Sequence, residues 1–123
     1  MTASDPARRR LTRLMAVLGV ASGGLLLACP QQLVDRVAPA LPASRRWLVR
    51  ALGVRLLVQH GAVLVSLDPA IIRASSAIDL LHAATLVPFV ASPQYGRAAR
   101  ISGALAATYA AAALAVAPRR ESS

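Results

Sequence analysis

The sequence predicts an all-α fold, a bundle of four transmembrane helices with a tight antiparallel hairpin between the second and the third. Three observations carry this expectation. Of 123 residues, 56% are hydrophobic and 15% charged, against roughly 25% charged in an ordinary soluble domain. Residues 14–34 and 101–118 carry no charge at all, and about 20 apolar residues suffice to cross roughly 30 Å of hydrocarbon. Prolines gather between the apolar runs. A soluble domain of this size buries only about two-thirds of its surface, too little to hide so much Ala, Leu and Val behind so few charges. The chain, 1–123, reads as a single integral membrane domain.

The first helix is expected over about 12–29 and ends at Pro30. From Pro30 to Trp47 the chain carries Pro39 and Pro42 and makes a true connection. Within it, Gln31–Val37 offers one interfacial turn with Leu33, Val34 and Val37 on one side. The second helix, about 48–67, and the third, about 70–91, contain Arg50, Arg55, His60, Arg73, Asp79 and His82. They cross if end charges snorkel and central ones pair. Between them, Asp68 supplies a carboxylate N-cap and Pro69 occupies the first helical position, where a missing N–H costs nothing. Ser92-Pro93-Gln94-Tyr95-Gly96 interrupts the chain before the fourth helix, about 98–117, which Pro118 ends. Both termini read as short disordered tails.

All fourteen basic residues are arginine, set against five acids for a net charge of +9. The arginines punctuate apolar runs instead of forming a stripe with interleaved aromatics, which argues against nucleic-acid binding and for anchoring at lipid headgroups. Four spans put both termini on one side. That side collects Arg8, Arg9, Arg10, Arg13, Arg73, Arg119 and Arg120, and the other Arg36, Arg45, Arg46, Arg97 and Arg100. The positive-inside rule then favours cytoplasmic termini, with Trp47 and Tyr95 at the outer interface. The N-terminus also carries a second pattern. Arg8-Arg9-Arg10-Leu11-Thr12-Arg13 before an apolar run resembles a twin-arginine signal, and Leu26-Leu27-Ala28-Cys29 resembles a lipobox. Three further hydrophobic helices follow, so Cys29 is expected to stay an inert thiol at a helix end.

Gly19 and Gly23 form a GxxxG pair, and Gly103, Ala107 and Ala111 continue the small-residue spacing in the fourth helix. Such faces let backbones approach closely in lipid, either within the bundle or between copies of the chain. The most informative constellation is polar. Arg55 and Gln59 share a face of the second helix with Ser66, and Ser75, Asp79 and His82 fall within about 60° on the third. Counted from the hairpin, Gln59 and Asp79 lie about 15 Å deep and Arg55 and His82 about 20 Å. His60 points about 140° from Arg55 and reads as a poorer member.

Four readings of this cluster compete. Arg55 and Asp79 neutralise each other and fix the hairpin, with Gln59 and His82 in support; or Asp79 and His82 relay protons; or the groups do acid/base catalysis in an uninferred cavity; or His60 and His82 bind haem or a metal from mismatched faces. No phosphate loop, nucleophile elbow or paired-cysteine motif occurs, and no cofactor is implied.

The stretches Arg50–Gln59, Asp79–Thr85 and Pro93–Arg100, with Gly-x-Arg-x-x-x-Gln in the second helix and Asp-x-x-His in the third, resemble uncharacterised small four-helix membrane proteins of actinobacteria. The resemblance implies Gly53, Arg55, Gln59, Asp79 and His82 as its marked positions, adds Gly53 to the packing residues, and carries no activity. Small multidrug transporters share only the length, since the first helix here has no membrane-embedded Glu. Fluoride channels share only the size, since their Gly-rich Arg motif is missing. The expected role is a structural or accessory subunit in the cell envelope, not an enzyme, with the bilayer and a homo-oligomer or envelope complex as partners. The alternative is a small proton-coupled transporter.

Overall fold

A computed structural model describes residues 5–117. Five α-helices account for most of them: α1 (Asp5–Ala28), α2 (Pro30–Val37), α3 (Trp47–Ser66), α4 (Pro69–Leu86) and α5 (Gly96–Val116). Short 3₁₀ turns at Ala43–Arg45 and Val87–Phe89 lead into α3 and out of α4. Four segments, Pro6–Ala28, Ala43–Ser66, Pro69–Phe89 and Gly96–Val116, are long and apolar enough to cross a membrane. The architecture is therefore an all-α bundle of four membrane-length helices, with α2 as a short extra helix.

The distribution of side chains is that of a protein solvated by lipid. Val65, Val58, Leu81, Val87 and Leu105 stand exposed on the outside, while Thr12, Gln59, His60, Ser75, Ser76 and Asp79 are buried. The apolar interior is mostly small: Ala16, Ala99, Ala106 and Ala110 are buried with Val63 and Ile72. In water, outward aliphatic patches of this extent mark an interaction or aggregation surface. In lipid they face a matching solvent, and small residues inside let helices close on one another.

Two antiparallel helix pairs, α1 with α3 and α4 with α5, make up the bundle, and contacts between the pairs are sparse. Gly23 and Gly53 lie against each other: a Cβ on Gly23 would stand 2.7 Å from the Gly53 carbonyl oxygen. A Cβ on Gly19 would overlap the His60 ring. These three glycines serve packing inside one chain. A Cβ on Gly103 would stand 3.9 Å from Leu86, an ordinary contact distance, and Ala107 is half-buried. At the α3–α4 hairpin, Leu67 adopts a left-handed conformation (φ 52°) and donates its N–H to Val63, and the Asp68 carboxylate accepts from the Ala70 N–H at 2.8 Å. A left-handed non-glycine residue costs about 1–2 kcal/mol. Leu67 is 4% exposed, and burying a leucine side chain returns about 1.5–3 kcal/mol, so the strained turn is held in place by its own side chain.

Several boundaries differ from expectation. Helix α1 begins at Asp5 instead of residue 12, because arginine is a good helix former and the charges at 8–13 mark the limit of hydrocarbon without ending the helix. Residues 5–11 are thus helical, not a disordered tail; residues 1–4 and 118–123 lie outside the described range. Helix α4 stops at Leu86, short of 91, where Pro88 converts the last turn to 3₁₀. Arg50 sits in the first turn of α3, on the side opposite the termini, which narrows the arginine difference to seven against six.

Candidate functional site

Polar groups tie the two helix pairs together at mid-bundle. The Gln59 carboxamide of α3 donates to Asp79 Oδ1 of α4 at 2.9 Å and to the Ser75 carbonyl at 3.2 Å, and its oxygen accepts from Arg55 Nη1 at 3.4 Å. Arg55 Nη1 stands 3.5 Å from Asp79 Oδ1. The Asp79 side chain is 4% exposed and that of Arg55 25%. Gln59 is thus the hub, with Arg55 one helical turn before it on the same face and Asp79 opposite.

His82 takes a different course. Its Nε2 shares a 2.8 Å hydrogen bond with Ser102 of α5, so it joins the α4–α5 pair internally and does not support Arg55–Asp79 as expected. Ser75 contributes its backbone carbonyl. Ser66 is exposed and bonds back to Ala62, outside the cluster despite its shared helical face.

His60, expected to be peripheral, is 4% exposed and lies between Gly19 of α1 and Tyr109 of α5. The His60 and Tyr109 rings meet edge to face with centroids 4.9 Å apart. The Tyr109 hydroxyl donates to the Met15 carbonyl of α1. A helix in a four-helix bundle has two neighbours roughly at right angles, and successive residues turn by 100°. Gln59 therefore faces α4 while His60 faces α1 and α5. Tyr109, the one aromatic in an Ala-rich span, was the readable signal that another polar contact lay at this level.

The termini end closes with a third set of bonds. Arg8 Nη1 donates to the Ala115 and Ala117 carbonyls at 3.0 and 3.3 Å, and Thr12 to Val116 at 3.5 Å. A guanidinium here fills acceptors at the C-terminus of α5 and complements its helix dipole.

Two cavities adjoin the cluster. One, about 20 Å³, is lined by Thr12, His60, Ser75, Asp79 and Tyr109 among others, room for about one water. The other, about 410 Å³, opens between the helix pairs toward α2. Its floor includes Arg55, His60, Asp79, Ser102 and Tyr109, and its walls are aliphatic. Asp79, His60 and Tyr109 line both. Among the described residues no three His, Cys, Asp or Glu side chains gather in a way that could hold a metal ion. Compared with known proteins, the chain matches no family model, no curated protein and no solved structure.

Proposed function

We propose that this chain is a structural or accessory protein of the cell membrane, a component of a larger envelope assembly. The observation behind this reading is that the cluster's polar groups bond one another across helices: Gln59 engages Arg55, Asp79 and the Ser75 backbone at once. That is the wiring of a lock between helices, and polar contacts act as glue in lipid. The Gly53-x-Arg55-x-x-x-Gln59 and Asp79-x-x-His82 motifs then mark positions that hold the bundle. Cytoplasmic termini complete the proposal, supported by the arginine cluster at Arg8, Arg9, Arg10 and Arg13. Blue-native electrophoresis of gently solubilised native membranes tests it. The chain should migrate in an assembly much larger than itself, and migration as a lone chain would contradict the accessory role.

A second reading, a small proton-coupled transporter, is favoured by one specific feature. Asp79 and His60 line both the large cavity and the water-sized void on the terminus side of it, and intramembrane Asp and His side chains serve as proton relays. In proteoliposomes this reading predicts proton-driven uptake that disappears with Asp79→Asn. Flux equal to that of empty liposomes would dismiss it.

A further inference from the structure

The 410 Å³ cavity is far larger than a helix lock requires, and it falls in the range of about 300–1,000 Å³ that small-molecule sites occupy. We infer that it binds an uncharged, elongated, lipid-soluble molecule with a carbonyl-type oxygen, the oxygen seated on Arg55 and the apolar body lying toward α2. This goes beyond the accessory role and does not depend on it.

The donor inventory motivates the oxygen. A guanidinium has five N–H donors; Gln59 and Asp79 engage only Nη1, and Arg55 Nε is buried without any partner. Nε is sealed from solvent, so the donors that a cavity oxygen can reach are those of Nη2, which no group among the described residues engages, and Arg55 lines the cavity. Charge excludes an anionic head. Asp79 already neutralises Arg55 and lines the same floor, so a carboxylate or phosphate would meet a like charge, whereas a neutral carbonyl accepts from the guanidinium without that repulsion. The walls fix the body. Leu26, Leu56, Ile101 and Val34 offer an aliphatic lining that suits an alkyl or isoprenoid segment. Leu25 and Leu105 also line the cavity and are 55% and 62% exposed, which gives a lateral mouth on the outer surface of the bundle and a route in from lipid.

The test uses the full chain in phosphatidylcholine nanodiscs and two photoreactive probes: a medium-chain alkyl ketone with a terminal diazirine, and the matched alkane without the oxygen. Labelled peptides are mapped by mass spectrometry. The ketone should label cavity-lining positions of α1 and α5 about fivefold more than the alkane, the worth of roughly one net hydrogen bond. Unlabelled alkyl ketone should compete better than the fatty-acid anion of equal length. Arg55→Gln should equalise the two probes. Ile101→Phe, which narrows the cavity and leaves the Arg55–Asp79 contact in place, should remove labelling by both while helicity is retained; if Arg55→Gln fails to fold, this variant and the ketone-to-alkane ratio in the unaltered chain decide together. Equal labelling by ketone and alkane in the unaltered chain would reduce the cavity to a resting place for acyl chains and overturn the proposal. Ketone label confined to lipid-facing positions such as Val58 and Leu81, or unaffected by Ile101→Phe, would overturn it as well.

Discussion

Asp79 keeps a carboxylate at membrane depth because Gln59 and Arg55 both reach it; an isolated ion there would be expensive. Gln59 suits the hub because a carboxamide donates and accepts at once, so it satisfies an acid on one side and a guanidinium on the other. A glutamate in its place would add a second negative charge, and a leucine would remove both bonds. Tyr109 does a similar service from α5, its hydroxyl reaching α1 and its ring meeting His60 of α3. The two contributions separate experimentally. Tyr109→Phe removes the bond to the Met15 carbonyl and keeps the ring against His60, so detergent-solubilised protein should lose about 0.5–1.5 kcal/mol. Tyr109→Ala forfeits the edge-to-face contact as well and should lose clearly more. Equal loss from both variants, read by thermal unfolding, would mean that the ring contributes nothing.

At the scale of elements, the four spans were legible because lipid demands long charge-free runs, and the α3–α4 boundary because Asp68-Pro69 is a cap and a first-turn proline together. Helix ends near charge were not. The arginines at 8–13 bound the hydrocarbon but continue the helix, and the 3₁₀ turn at Val87–Phe89 follows from Pro88, a single proline within an otherwise apolar run. Of the candidate site, Arg55, Gln59 and Asp79 could be found because both helices turn these groups toward a single shared interface. His60 could not be found that way, since its face belongs to another pair of helices and nothing in one helix's periodicity tells which neighbours it will meet. Glycine roles divide in the same manner. A Cβ on Gly23 meets backbone at 2.7 Å, whereas one on Gly24 meets nothing within 4 Å. Gly23→Ala should therefore push α1 off α3 and cost about 1–3 kcal/mol, the usual penalty for overpacking, while Gly24→Ala should be no less stable than the parent. Thermal unfolding of the two single variants side by side checks this, and equal stabilities would remove close backbone approach as the reason for Gly23.

For the whole molecule, two tight helix pairs meet across polar contacts and an open cavity, and the ends of α1 and α5 are fastened by Arg8 and Thr12. Helix α1 is an integral wall of this arrangement: without it His60 and Gly53 lose their facing surface. Chain isolated from native membranes should accordingly retain α1, measured as intact mass, and a lipidated species beginning at Cys29 would replace the four-helix bundle with three helices and an anchor. The central claim is that Arg55 and Asp79 join the two pairs. A double-mutant cycle on thermal stability in detergent tests it most directly, with Arg55→Ala, Asp79→Ala and the combination. Each single variant leaves a charge buried without its partner, which costs about 3–5 kcal/mol. The double variant leaves neither and should be harmed less than the sum of the two. Strict additivity would show that the two residues do not interact, and the join between the helix pairs would have to be sought elsewhere.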